Sequence, residues 1–315
     1  MRKIRILVAN EPAPLGGVEA WRIFWPLDLL ERTYPDTIEV VYSRGRILPS
    51  DFIQCDLFFC ARPAEMSHFQ VISTAKSFGK PVIMDFDDNF IGLPTGHGDF
   101  NELLGKETSV RQSIALADQL WVTTQSIADA YKHPNTVIIP NAILPELLPD
   151  KPNGNTGTML WRGASAHIED LWTWRTEYER LSRRIKRFIW IGYLPTWASN
   201  VTGMNVEYAK WVETQQWFEF LKAQNIAAIW KPLLPAPVND GKSNISLLEA
   251  TLAGGLCVSN YAGKPGFEHA WRELPKKESD FVDGWQRAAD HVREKYDLRA
   301  WNEVRYREIL KLVNL

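Results

Sequence analysis

Lys242 and Ser243 stand just before an apolar stretch that reads as a helix, and Glu249 lies two turns into it. A lysine where backbone N–H groups are still unpaired attracts phosphate, because the helix dipole and the free donors both favour an anion. Glu249 sits beside Leu247, Leu248 and Leu252. A carboxylate in such apolar company needs donors, and the two hydroxyls of a ribose would supply them. The plain alternative is an amphipathic helix with a lysine at its start and one solvated glutamate. Arg162 and Lys231 each end an apolar run, so with Lys242 they form a cation set suited to neutralising a diphosphate.

A second chemical focus is acidic. In Met84–Pro94, Asp85, Asp87 and Asp88 place three carboxylates within four residues at the end of a strand. Such crowding costs repulsion unless something binds there. Asp85 and Asp87 have the D-x-D spacing that would hold Mg2+ or Mn2+ against a diphosphate, while a role lining a cleft or a solvated loop are the other readings. Arg62, before Pro63, ends another strand and points the same way. His97, in Gly96-His97-Gly98, lies on a loop able to close over a ligand, although a lone loop histidine is usually just exposed. Gly16 and Gly17, after the first strand, would let backbone amides approach a phosphate. That loop lacks the G-x-G-x-x-G spacing, and no acidic residue ends the second strand, which argues against a dehydrogenase.

These residues need a scaffold that gathers strand ends. Apolar runs at Ile4–Ala9, Ile38–Tyr42, Leu57–Cys60, Val82–Met84, Leu120–Thr123 and Val137–Ile139 predict strands of a parallel sheet. Helices fit between them at Gly17–Arg32, Pro63–Phe78, Glu107–Ala117 and Gln125–Tyr131. The stretch 148–157, rich in Pro, Gly and Asn, reads as a linker. Alternation then resumes, with strands at Met159–Trp161, Phe188–Ile191, Ile226–Trp230 and Leu256–Ser259. Helices are expected at Glu169–Ile185, Trp211–Ala223 and Ser243–Ala253, and two more at Asp280–Lys295 and Ala300–Val313. The pattern predicts an α/β protein of two Rossmann-like domains facing a cleft, with ligands at the carboxyl ends of the strands.

Bulk properties narrow the partners. The net charge of −2 is split unevenly: residues 1–150 hold 13 Lys and Arg against 19 Asp and Glu, whereas 151–315 hold 23 against 19. The second part is the better host for a phosphate, and a nucleic acid on the first would meet net repulsion unless a patch such as Arg44–Arg46 overrides it. Cys55, Cys60 and Cys257 lie in or beside apolar stretches and read as buried thiols. The six histidines show no metal spacing. No run approaches the ~20 apolar residues of a membrane span, and the apolar start is shorter than a signal peptide requires, so a cytoplasmic protein is expected. Of the 14 tryptophans, Trp21, Trp25, Trp161 and Trp197 are placed to face the cleft and stack on a sugar, with most of the rest in the core.

The run Lys242-Ser243, Leu248-Glu249-Ala250 and Ala253–Ser259 resembles the donor-binding signature of glycosyltransferase family 4-like proteins, particularly short bacterial and phage-encoded members. Leu160–Leu171, Ala117–Thr124 and Val137–Ala142 are similar to further segments of that family. The resemblance implies a GT-B fold and a retaining transfer from a nucleotide-sugar, here a UDP-sugar such as UDP-glucose. Gly16, Gly17, Arg162, Gly163, Lys231, Lys242, Ser243, Leu248 and Glu249 would hold the donor, with Glu249 on its ribose. Arg62, Asp85 and Asp87 would lie on the acceptor side, and Asp87, Asp88, His97 and Lys242 would serve catalysis. No metal is obligatory. The acceptor would be a hydroxyl of a glycan, a small molecule or a hydroxymethylated base in phage DNA. The implied domains are 1–147 on the acceptor side and 158–299 on the donor side, with the 300–315 helix packed back on the first. The family's longer motif has two glutamates eight positions apart, and Gly241 occupies the earlier one. A nucleotide-sugar 2-epimerase and a non-catalytic sugar-nucleotide-binding relative are the other readings.

Overall fold

The first six apolar runs become β1 (Ile4–Val8), β2 (Ile38–Tyr42), β3 (Leu57–Ala61), β4 (Val82–Phe86), β5 (Gln119–Val122) and β6 (Thr136–Ile138). In this computed structural model, which describes residues 2–10, 17–43, 45–93, 95, 100, 105–154, 156–213 and 216–314, they form one parallel sheet. Its order is β2-β1-β3-β4-β5-β6. β3 and β4 are buried at every position, as central strands covered by helices on both faces must be, and their sequences are apolar throughout except for Asp85.

The second sheet holds β7 (Thr158–Gly163), β8 (Arg187–Gly192), β9 (Asn205–Ala209), β10 (Ala228–Trp230) and β11 (Leu256–Val258). Its order is β11-β10-β7-β8-β9, again all parallel. Each sheet therefore reverses its winding once, between β1 and β3 in the first and between β7 and β10 in the second. Ligands of open α/β sheets bind at such switch points, outside the carboxyl ends of the strands.

Several elements differ from the sequence reading, among them the helix Pro49–Gln54, which it did not anticipate, and the helix expected over Trp211–Ala223, which begins at Trp217. β9 was not visible as an apolar run because it is an edge strand with no fully buried residue and with Asn205 and Tyr208 exposed. The helix expected over Gly17–Arg32 is a turn at Gly17–Glu19, a π-helical turn at Ala20–Phe24 and a helix at Trp25–Thr33. The wider π-turn buries four consecutive residues, Ala20 to Ile23, where an α-helix on a surface would bury one face. The helix expected over Glu169–Ile185 divides into Ile168–Thr173 and Arg175–Leu181.

Aromatic packing joins the two sheets' helices. Trp21 and Trp25, on the π-turn and the helix that follows it, pack on Phe218 of the second half, with ring centroids 5.6 and 4.6 Å away. The helix Leu298–Leu312 lies against the first sheet's helices: Asn302 donates to Pro26 O at 2.9 Å, and Tyr306 stacks on Tyr34 at 3.8 Å. Cys55, Cys60 and Cys257 are all buried free thiols. Among the described residues no helix is long and apolar enough to cross a membrane.

Candidate functional site

Both switch points open onto one cavity of about 360 Å³ between the sheets. The first sheet contributes Gly17 after β1, Arg62 after β3, and Asp87 and Asp88 after β4. The second contributes Arg162 and Gly163 at the end of β7, Lys231 after β10, and Lys242, Ser243 and Glu249 around the helix Ile245–Leu252.

Glu249 is almost fully buried, and its Oε1 accepts from Trp217 Nε1 at 2.9 Å and pairs with Arg162 Nη2 at 3.0 Å. Burial raises its pKa, with Arg162 and the Trp217 hydrogen bond opposing that rise. The Arg162 guanidinium lies 4.9 Å from the Trp217 ring and 5.6 Å from Trp211, so two indoles and a carboxylate fix its plane. Its Nη1 would stand 2.7 Å from a Cβ at Gly17, so a larger residue there would displace the guanidinium. Gly163 is the more tightly constrained, because a Cβ would meet the buried Trp161 ring at 2.6 Å.

On the opposite wall, Arg62 has a left-handed backbone, φ 52°, which is costly for a non-glycine residue, and it lines the cavity. Its Nε lies 3.2 Å from Asp87 Oδ1, and its guanidinium sits 5.0 Å from the Phe90 ring. Burial pushes the Asp87 carboxyl up to about 6, with Arg62 opposing and the neighbouring Asp88 adding to the rise. Burial also works against ionisation of Asp88, yet Lys242 and Arg62 together hold it below the usual carboxylate range. Lys242 Nζ reaches Asp88 Oδ1 at 2.9 Å, bridging the two sheets. The bridge is reinforced by Asn244 Nδ2 donating to Asn141 O at 2.9 Å.

Not every anticipated residue is in the cavity. Asp85 is buried and both its oxygens accept from Arg22, at 2.8 and 2.6 Å, so it is committed to the interior and does not line the site. It therefore offers no D-x-D partner to Asp87, and among the described residues no three His, Cys, Asp or Glu side chains converge where a metal ion would sit. Leu248 is fully buried in the core behind Glu249. Trp197 packs on Tyr178 and Trp190 in the second half's core, away from the cleft, and Trp161 is buried beneath Gly163. The indole that lines the cavity is Trp211, while Trp21 and Trp25 border a small adjoining crevice with it. Gly16 and His97 lie outside the described residues.

One group was missed by sequence reasoning. His167 lines the cavity, with Nδ1 2.7 Å from Asp170 Oδ2 and Nε2 3.1 Å from Lys231 Nζ. The signal was the spacing His-x-x-Asp at a strand-to-helix junction, where i and i+3 residues share a face.

No family model matches the chain, and no curated protein does. Solved structures do match its fold. HepE from Anabaena in complex with UDP-glucose superposes with a TM-score of 0.61 at 13% identity, covering 98% of this chain and 100% of that one. A glycosyltransferase from Rickettsia africae matches with a TM-score of 0.58 at 9% identity, covering 99% of each chain. A UDP-N-acetylglucosamine 2-epimerase from Rickettsia bellii matches with a TM-score of 0.50 at 10% identity, covering 100% of this chain and 97% of that one. The chain thus shares the GT-B fold, two Rossmann-like domains about a cleft, with proteins that include a glycosyltransferase and an epimerase.

Proposed function

We propose that this chain is a retaining glycosyltransferase of the family 4-like kind, moving a sugar from a UDP-sugar to a hydroxyl acceptor. One observation carries the reading: three cations, Arg162, Lys231 and Lys242, share with the buried carboxylate Glu249 a cavity at the switch points of both sheets. The cations match a diphosphate, and Glu249 matches the hydroxyls of a ribose. HepE, of the same fold, was solved with UDP-glucose bound. On this reading residues 158–299 hold the donor, and residues 1–147 with the helix from 300 onward present the acceptor.

In the reaction the bond between the sugar's anomeric carbon and the phosphate oxygen breaks as the acceptor oxygen attacks from the same face. The acceptor's proton passes to the departing phosphate. The protein's contribution is to position the partners and to stabilise the leaving charge through Lys242, Lys231 and Arg162. No metal is required for this scheme. The acceptor is a hydroxyl of a glycan, a small molecule or a modified DNA base, the last disfavoured by the acidic first 150 residues.

A thermal-shift panel of UDP, GDP, ADP, CMP and UDP-sugars tests the donor site. A ligand at ~100 times its dissociation constant adds about 2.7 kcal/mol. The expected result is a rise of several degrees with UDP that disappears in Glu249→Ala. No shift with any nucleotide would sink the assignment.

The second reading is a nucleotide-sugar 2-epimerase. Asp87 favours it, because a cavity carboxyl raised to about 6 is suited to exchanging a proton. Incubation with UDP-sugars alone separates the two: a 2-epimer without acceptor supports epimerisation, whereas a glycosylated product only with acceptor supports transfer.

A further inference from the structure

His167 lines the cavity, and Asp170 lies behind it; the pair belongs to neither the cation set nor the acidic wall. Asp170 Oδ2 accepts from His167 Nδ1 at 2.7 Å. Its other oxygen accepts from Leu234 N at 2.6 Å and from Asn239 Nδ2 at 2.8 Å. Three donors fix the carboxylate in place. A carboxylate can only accept, so the imidazole proton sits on Nδ1, and an ammonium can only donate, so Nε2 receives Lys231 Nζ at 3.1 Å. Burial, then the neighbouring Lys231, draws His167 down to about 3, which keeps the ring neutral beside that ammonium.

We propose that His167, oriented by Asp170, is a positioning residue that steers the Lys231 ammonium onto the donor's diphosphate. This role rests on the donor-site reading given above. Lysine carries a charge on a flexible four-carbon stem, and a fixed acceptor selects one of its many rotamers before the ligand arrives. The same carboxylate anchors Asn239, whose carbonyl accepts from the backbone N–H of Lys242 at 3.1 Å, so Asp170 also braces the turn that carries Lys242. The arrangement parallels the way a second carboxylate fixes the tautomer of a metal-bound histidine, with the ammonium in the metal's place.

Two measurements on the full chain test it. Nitrogen-15 NMR at pH 7, with the His167 signals assigned by their loss in His167→Gln, reads the tautomer and needs no ligand. Calorimetric titration with UDP, inorganic pyrophosphate and uridine reads the consequence for Lys231. The expected tautomer is neutral with the proton on Nδ1. Lys231→Met and His167→Leu should each weaken UDP and pyrophosphate roughly tenfold or more, the worth of a hydrogen bond to a charged group. His167→Gln, whose Oε1 can still accept from Lys231, should stay within roughly threefold of wild type, less than 1 kcal/mol by the affinity scale. Uridine affinity should be unchanged throughout.

An imidazolium, or a proton on Nε2, would overturn the role. So would pyrophosphate binding that survives in His167→Leu but is lost in Lys231→Met, a result that leaves the donor site standing. Wild-type protein that binds neither UDP nor pyrophosphate would instead sink the donor-site reading, and this role with it.

Discussion

Lys242 Nζ lies 2.9 Å from Asp88 Oδ1, so a cation expected to meet a diphosphate is held by a carboxylate from the opposite sheet. Any anion entering the cavity must compete with Asp88 for that ammonium. At an effective dielectric of ~20 two unit charges 4 Å apart interact by roughly 4 kcal/mol, and solvent at this partly exposed pair leaves a fraction of that. Asp88→Asn keeps the shape and removes the competitor. UDP should then bind roughly five- to tenfold tighter, about 1 kcal/mol, by calorimetry. Unchanged or weaker binding would mean that Asp88 supports the site rather than competing for it.

Substitution at Glu249 tests the ribose and phosphate contacts separately. Glu249→Gln preserves size and can still accept from Trp217, while removing the charge that faces Arg162. If the carboxylate holds the ribose, uridine and UDP should both weaken by roughly tenfold or more, since hydrogen bonds to charged groups are worth about 1.5–3 kcal/mol. Pyrophosphate affinity should hold or improve, because Arg162 is released to the anion. Parallel losses for uridine and pyrophosphate would assign Glu249 to holding Arg162 in place, with no contact to the sugar.

Two groups set the pH profile. Asp87, raised by burial to about 6, gains its charge as pH rises through that value. Lys231, drawn by burial and then by Lys242 to about 8, loses its charge as pH rises through that value. If Asp87 acts ionised and Lys231 acts protonated, kcat/KM should climb through about pH 6 and fall above about pH 8. Asp87→Asn should flatten the acid limb and Lys231→Met the alkaline limb. Persistence of both limbs in both variants would assign them to other groups.

The fold was legible because its central strands are buried on both faces and so appear as short apolar runs. β3 and β4 could not be mistaken for surface helix faces at that length. Residues that follow such runs, Arg62 and Lys231 among them, are placed at the cavity by topology alone. Pairings across the chain were not legible. Asp85 looked chemically free in the sequence, and only the tertiary fold brings Arg22, 63 positions away, onto it through a π-turn that no periodicity marks. Trp197 sits on a loop by sequence and in a core by packing, because Tyr178 and Trp190 surround it.

The Arg22–Asp85 pair should matter to stability more than to chemistry. Both side chains are about 1% exposed, and Arg22 Nη1 also donates to Ile139 O at 2.7 Å. Removing one partner of a buried pair strands the other, so Arg22→Met should cost roughly 3–5 kcal/mol in urea unfolding. Arg305 is the contrast. It is equally buried, its Nε and Nη2 have no partner among the described residues, and burial followed by Arg22 draws it down to about 9. A buried charge with no carboxylate of its own is a liability, so Arg305→Met should change stability by less than about 1 kcal/mol or increase it. A large loss from Arg305→Met would show that Arg305 shares Asp85 with Arg22.

Gly241 decides between a vacated donor contact and a domain contact. By the resemblance to family 4-like proteins, it stands where the longer motif carries its first glutamate. In the structure it is buried against the first half: a Cβ would stand 3.2 Å from Ile127 Cγ1 and 3.7 Å from Asn89 Cβ, and its carbonyl lies 3.4 Å from Thr124 Oγ1. Its φ of −83° is open to any residue, so space and not backbone strain selects glycine. Gly241→Ala needs only a few tenths of an ångström from Ile127 and should cost less than about 1 kcal/mol. Gly241→Glu must push the helix Gln125–Tyr131 away and bury a carboxylate against Ile127, so it should cost about 1–3 kcal/mol and weaken UDP-glucose binding. Tighter UDP-glucose binding in Gly241→Glu would mean the reverse, that the side chain reaches the sugar and this chain descends from the two-glutamate form by loss of a ligand.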